Sequence, residues 1–346
     1  MASGNNVNNT CFTDENIRFF YNYVGKEIEK NWTSPDIMVI GLGLTLCPIV
    51  VLANLMVMVA IFTNRRFHFP IYYLLGNMAA ADLFAGLAYA NLMLNTGPWT
   101  KMLTKSQWYI RGALIDISLT ASVANLLAVA VERHQTIITM QLHSNMTKRR
   151  VSLLVVGIWV IGIIMGLVPS ILWNCECNLK DCSKIAPLYS RSFLIFWAVL
   201  NLITFFIMLA MYARIFYYVK HKSLYVSQHN SEMRHNQTVV NLMKTISMVL
   251  GAFVICWTPG LITLLMDGIL GKKSNANKYE KYCLVMAVCN SLVNPIIYSL
   301  RDEEMRSTFK FILCRLCHRG VDRQQLSSPI EFKSSLKEKN FDCPEI

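Results

Sequence analysis

Seven apolar stretches, each about 20 residues or longer, recur along this 346-residue chain and dominate what it can fold into. They cover approximately residues 37–62, 71–94, 108–139, 151–173, 192–219, 239–269 and 279–300. A bilayer core about 30 Å thick is crossed by about 20 helical residues. Inside it every backbone N–H and C=O must be paired within the chain, so such stretches cross as α-helices. One of them alone could be a buried helix of a soluble enzyme; seven in series, joined by short polar segments, could not. The balance of 54% hydrophobic residues and a mean hydropathy of +0.37 agrees. The predicted fold class is an all-α membrane protein. Residues 1–35 form an extracellular N-terminal cap and 36–301 a seven-transmembrane helix bundle. Residues 302–318 form a short amphipathic helix after the last span, and 319–346 a polar, disordered cytoplasmic tail.

Orientation follows from lysine and arginine in the short joints. The joints after spans one, three and five, and the segment after span seven, are basic: Arg65 and Arg66; Lys148, Arg149 and Arg150; Lys220, Lys222 and Arg234; Arg301, Arg306, Lys310 and Arg315. With seven spans these share the cytoplasmic side, which puts the N-terminus outside a plasma membrane. MASGNNVNNTCFTDEN lacks the apolar core of a signal peptide. Asn8 and Asn31 stand in glycosylation sequons on the outer side. The Asn145 and Asn236 sequons fall inside, where they go unused. The outer joints also carry lysines, among them Lys101, Lys184, Lys272 and Lys281, which either coat a solvated loop or draw an anion to the outer mouth.

Cys175, Cys177 and Cys182 crowd the joint after span four, and Cys11 lies in the N-terminal segment. Four outer cysteines suggest two disulfides with three possible pairings. A zinc site is the rival, but no histidine lies near. Cys314 and Cys317 sit among basic residues past the last span and read as palmitoylation sites facing the membrane lipids.

The third span carries charge. Arg111, Ser118, Ser122, Asn125 and Arg133 return to nearly one helix face, whereas Asp116 is rotated well away. Such a polar seam faces the bundle interior. At 1.5 Å per residue Arg111 and Arg133 are about 33 Å apart, near opposite membrane surfaces. Asn54 and Asp82 add polar groups to the interior, and Pro259 and Pro295 should kink spans six and seven.

Asn54, the AAAD run ending at Asp82, Glu132-Arg133-His134, Trp159, Cys256-Trp257-Thr258-Pro259 and Asn294-Pro295-Ile296-Ile297-Tyr298 together resemble rhodopsin-like G-protein-coupled receptors over about residues 36–314. NRRFHFPIYYLL (64–75), LTASVANLLAVAVERH (119–134), IAPLYSRSFLIFWAV (185–199) and VLGAFVICWTPGL (249–261) are similar to lysophospholipid receptors, most of all those for lysophosphatidic acid. FFYNYVGKEI (19–28) resembles their N-terminal cap. The outer cysteine of span three found in the wider class is absent, with Trp108 near its place, as in lysophospholipid receptors. The resemblance implies the pairings Cys175–Cys182 and Cys11–Cys177. It implies a ligand, lysophosphatidic acid or alternatively another lysophospholipid such as sphingosine 1-phosphate, and heterotrimeric G proteins and arrestin as inner partners. It implies no nucleic acid and no catalysis.

By the same resemblance, Arg111, Lys281 and Lys26 meet the ligand phosphate and Tyr21 adds a hydrogen bond. Phosphate favours bidentate arginine plus lysine point charges. Leu119, Trp197, Trp257 and Leu264 are candidate walls for the acyl chain, and Asp116 and Gly112 are candidate ligand-binding positions. Glu132, Arg133, Tyr212, Pro259, Asn294, Pro295 and Tyr298 match the switch that couples to the G protein. Asp82, Ser122, Asn290 and Asn294 match a site for a bound sodium ion in the resting state; no other metal or cofactor is implied. Two departures stand out. Related receptors carry glutamine or glutamate directly after the span-three arginine, where this chain has Gly112. A glycine reads no head group, so Gly112→Gln should increase potency. The outer loop GKKSNANKY (271–279) lacks a cysteine pair seen in some relatives and should be less constrained.

Transporters combine intramembrane carboxylates with broken helices, but they show internal repeats that are absent here. A lipid-hydrolysing enzyme needs a metal cluster or a nucleophile–base pair, and the spans hold neither.

Overall fold

The computed structural model describes residue 11 and residues 16–138, 147–226 and 233–325. Nine helices run in series through the described residues, and no strand is present among them beyond two isolated bridges. The first, α1 (Ile17–Val24), is the cap. Seven long helices follow: α2 (Ser34–Thr63), α3 (Pro70–Leu94), α4 (Lys105–Ile138), α5 (Lys148–Ile171), α6 (Arg191–Val226), α7 (Met233–Leu270) and α8 (Glu280–Arg301). Each is long and apolar enough to cross a membrane. The last, α9 (Glu303–Gln325), follows α8 after one residue.

Several of these helices outrun the apolar stretches that announce them. The expected third span opens at 108, the fifth closes at 219 and the sixth opens at 239; α4 begins at Lys105, α6 continues to Val226 and α7 begins at Met233. A membrane surface ends the need for apolar side chains, not the helix. By the same logic α9 continues past 318 to Gln325, inside the stretch expected to be disordered. Arg319, Arg323, Gln324 and Gln325 there are good helix formers.

The bundle is arranged around α4, which packs on α3, α5 and α6; α2 packs on α3 and α8, and α7 on α6 and α8. Its outer surface is apolar: Leu153, Val156, Ile163, Ile164 and Ile171 of α5 are all exposed. Exposed aliphatics in this density face acyl chains rather than water. Pro259 and Pro295 lie inside α7 and α8, and Pro48 and Pro169 inside α2 and α5.

Polar residues in the interior find one another. Asn77 Nδ2 donates to Asn125 Oδ1 at 2.8 Å, and Trp159 Nε1 donates to Asn77 Oδ1 at 2.9 Å. The middle of the α4 seam therefore packs against α3 and α5. At the inner end, Asn64 Nδ2 donates to the Thr308 hydroxyl at 2.9 Å, and Met305 and Phe309 are buried. This docks α9 along the bundle.

The cap is fixed by short-range chemistry. Asn16 Oδ1 accepts from the Arg18 N–H at 3.0 Å, and Ile17, Phe20, Tyr21 and Val24 share one buried face. Gly25 ends the helix at φ +71°, which glycine adopts without steric cost. The reversal points the chain at Lys26 back over the bundle. Disulfides join Cys11 to Cys177 and Cys175 to Cys182, which excludes zinc at these cysteines. The first ties the N-terminal segment to the loop between α5 and α6; the second closes that loop on itself.

Candidate functional site

A cavity of about 280 Å³ opens at the cap end of the bundle. Tyr21, Lys26, Glu29, Arg111, Glu280 and Lys281 line its mouth, and Leu119, Trp197, Trp257 and Leu264 its depth. Gly112, Ile115, Asp116 and Leu119 of α4 share a helix face toward it. Asp116, read from the sequence as rotated away from the seam, thus lines the same cavity as Arg111. The arginine's long side chain reaches the cavity from the neighbouring face of the helix.

The three cations of the mouth are held differently. Arg111 Nη1 donates to the Asn95 carbonyl at 2.5 Å, and its guanidinium lies 5.4 Å from the Trp108 ring centroid. Among the described residues no carboxylate forms an ion pair with it. Lys26 Nζ donates to Glu280 Oε2 and to the Ile185 carbonyl, both at 2.7 Å. Lys281 Nζ pairs with Glu29 Oε1 at 3.1 Å and with Asp36 Oδ1. Hydrogen bonding to Asp36, then burial, pushes the Glu29 carboxyl above its ordinary value. Both lysines are therefore already paired, and an incoming anion must compete with Glu280, Glu29 and Asp36. Tyr21 accepts from Trp108 Nε1 at 3.0 Å, which fastens the cap to α4.

Around position 112 the structure departs from the reading of an empty place. A Cβ added to Gly112 would collide with the Tyr189 hydroxyl and lie 3.0 Å from its ring carbon Cζ. The Tyr189 phenol fills the volume that a side chain at 112 would take, and it donates to Asp116 Oδ2 at 3.2 Å. Gly112→Gln therefore meets an occupied site rather than a vacancy. Tyr89 also lines the cavity, and its buried hydroxyl has no partner among the described residues; the same holds for Trp257 Nε1.

The outer loops are tied by polar contacts. Asp267, fully buried near the end of α7, accepts from the Ser183 hydroxyl at 2.6 Å and from the Lys184 N–H at 3.0 Å. Loop 271–279, expected to be less constrained, is anchored without a disulfide. Ser274 is buried, and its carbonyl accepts from Lys184 Nζ at 3.0 Å.

At the opposite end Arg133 Nε lies 3.1 Å from Glu132 Oε2. Thr136 donates to the other Glu132 oxygen at 3.1 Å. Tyr212 and Tyr298 are buried, and the Tyr298 hydroxyl lacks a partner among the described residues. Midway between the two ends, Asn294 Nδ2 donates to Asp82 Oδ2 at 2.7 Å, while Asp82 Oδ1 and Asn290 Oδ1 are buried acceptors without a partner there. Ser122 is buried in the same interior.

The family described as 7 transmembrane receptor (rhodopsin family) matches residues 53–298 of this architecture. The chain belongs to that family. Within it the chain is 56% identical over 305 residues to lysophosphatidic acid receptor 1-A of Xenopus laevis, covering 88% of this chain and 83% of that protein. It is 55% identical over 311 residues to lysophosphatidic acid receptor 1 of Homo sapiens, covering 90% and 85%. It is 50% identical over 310 residues to lysophosphatidic acid receptor 2 of Mus musculus, covering 89% of each. This seven-transmembrane receptor is thus a multi-pass membrane protein of a receptor family rather than an enzyme family.

Of the expected modification sites, Asn31 is exposed at the cap end of the bundle, and Asn8 lies outside the described residues. Cys314 is disulfide-bonded in the structure, and acylation there requires the reduced thiol. The Cys317 side chain lies outside the described residues. Missed from sequence were Glu280, Glu29 and Asp36, which hold the two lysines, and Tyr189 and Tyr89. Asp116, expected among the ligand-binding residues, lines the cavity from the same face of α4 as Gly112, Ile115 and Leu119.

Proposed function

We propose that the chain is a plasma-membrane receptor for lysophosphatidic acid, with its N-terminus outside, that activates heterotrimeric G proteins within. The observation that carries this reading is the cavity itself. Three cations ring its mouth and aromatic and aliphatic side chains line its depth, the complement of a phosphate on a long acyl chain. A phosphate monoester carries about −1.5 to −2 charges near neutral pH. The unpaired Arg111 offers it a bidentate contact, and Lys26 and Lys281 reach it by giving up their carboxylates. That exchange draws the segment after α1 together with α4 and α8, because they bear Lys26, Arg111 and Lys281. The names of the similar receptors point to the same ligand.

Signalling follows as a shift of population toward the arrangement that binds ligand more tightly. The acyl chain would press toward Trp257, two residues from Pro259, where α7 lacks a backbone hydrogen bond and can swing. Within the membrane's inner face, Arg133 would exchange Glu132 for the G protein, with Tyr212 and Tyr298 supporting the active arrangement. Arrestin would use the same inner face, and Cys314 and Cys317, when reduced and acylated, would hold α9 on the lipid.

The unpartnered oxygens of Asp82 and Asn290 suit a monovalent cation, with Ser122 and Asn294 completing the set. A sodium ion there would supply one positive charge against Asp82 and favour the resting arrangement. The experiment is a dose–response panel of lysophospholipids, sphingosine 1-phosphate included, read by G-protein dissociation. Lysophosphatidic acid should be the most potent. A response to sphingosine 1-phosphate at lower concentration, its ammonium paired with Asp116, would replace this ligand.

A further inference from the structure

Tyr189 fills the volume that a side chain at position 112 would take, and its setting is rigid. The ring lies 5.3 Å from Trp108 and 5.6 Å from Phe193, both edge-on, and stacks 6.2 Å from Tyr109. Its backbone is pinned as well: its N–H donates to the Ala186 carbonyl at 2.9 Å and its carbonyl accepts from the Ser183 N–H at 3.0 Å. Only the hydroxyl end projects across α4, over Gly112 and onto Asp116. No residue with a Cβ could stand at 112 while the phenol keeps this position.

We propose that Tyr189 is the residue that sets head-group selectivity in this receptor, with Gly112 the hollow that admits it and Asp116 the group that orients it. The phenol hydroxyl and the Asp116 carboxylate form one polar unit inside a mostly apolar wall. A phosphate gripped by Arg111, one residue from Gly112, brings the adjoining part of its ligand to this unit. A free hydroxyl on that part can donate to the Tyr189 oxygen, whose own hydrogen is committed to Asp116. The ligand class is therefore a single-chain phosphate monoester bearing a hydroxyl beside the phosphate-linked carbon. The inference rests on the reading of the site as a lysophospholipid pocket.

The test uses the full-length receptor in cells, with surface level measured by an N-terminal epitope. The probes are oleoyl lysophosphatidate and the analogue that lacks its free glycerol hydroxyl. On the natural chain the analogue should be weaker by about threefold to tenfold, the worth of one hydrogen bond. Tyr189→Phe keeps the ring and its packing, and the two probes should then become equipotent within twofold or so. An undiminished ratio in Tyr189→Phe would overturn the proposal. The second arm is a cycle between positions 112 and 189. Gly112→Gln should reduce potency by about tenfold or more beside Tyr189, and far less beside Tyr189→Ala, where the volume is free. Equal losses in both backgrounds would also overturn it. Gly112→Ala replaces Gly112→Gln in the cycle if the larger side chain prevents surface delivery. No response of the natural chain to oleoyl lysophosphatidate would sink the ligand reading itself, a result distinct from either failure above.

Discussion

Lys26 offers the most direct test of how the mouth is poised. Its ammonium is 2.7 Å from Glu280 Oε2, with the two side chains 19% and 29% exposed. A phosphate that recruits Lys26 must displace that carboxylate. Glu280→Gln keeps the size and a hydrogen-bonding oxygen but removes the competing charge, while the Ile185 carbonyl still holds the lysine. The gross Coulomb attraction at this separation is largely cancelled by desolvation and solvent screening, so the net worth of a partly exposed pair is about 0.5–1 kcal/mol. Removing the competitor should therefore raise ligand affinity by about twofold to fivefold. The assay is saturation binding of labelled oleoyl lysophosphatidate on membranes at low and high salt. The gain should shrink as salt screens the charges, and it should vanish in the Glu280→Gln, Lys26→Met double variant. A lower affinity in Glu280→Gln at normal surface level would refute the reasoning, because Glu280 would then be helping the ligand rather than opposing it.

Arg111→Ala should cost about 3 kcal/mol or more, a loss of about a hundredfold or more in potency, since it removes two charge-assisted hydrogen bonds; Arg111→Lys should fall between, and surface-normalised dose–response curves check both. Arg133→Ala should leave ligand affinity within about twofold in the absence of G protein and sharply reduce nucleotide exchange; lost binding in a folded variant contradicts that division. Cys11→Ser should weaken ligand binding more than it lowers the melting temperature, because it frees the cap from the loop at Cys177. Non-reducing peptide mapping that finds Cys11 free in the natural chain would remove its basis.

The seven spans were legible because a bilayer demands length and apolarity that nothing else in a chain produces. The cap was legible only through the resemblance of FFYNYVGKEI (19–28), whereas its ends at Asn16 and Gly25 are set by capping bonds of the folded helix. The pairing of the mouth cations was not. Glu280 precedes Lys281 in sequence but pairs with Lys26, 254 residues away, and Asp36 opens α2 yet holds Lys281. Such partners are set by which helix ends meet in space. Gly112 was legible as a missing side chain, but the Tyr189 phenol in its place depends on a loop crossing the bundle from 77 residues further on. Helical angles set Asp116 apart from the seam, yet it shares the cavity with Arg111, because the long arginine reaches in from a neighbouring face and the seam below it serves Asn77 and Trp159 instead.

The central claim is that one cavity needs both a phosphate and an acyl chain. Competition binding on the purified receptor tests this most directly, with labelled oleoyl lysophosphatidate displaced by its unlabelled form, by monooleoylglycerol and by glycerol 3-phosphate. Only the intact lysophosphatidate should compete at low concentration, and its advantage over monooleoylglycerol should collapse in Arg111→Ala. Monooleoylglycerol competing as well as lysophosphatidate on the natural chain would contradict the account, since the cations at the mouth would then contribute nothing to recognition.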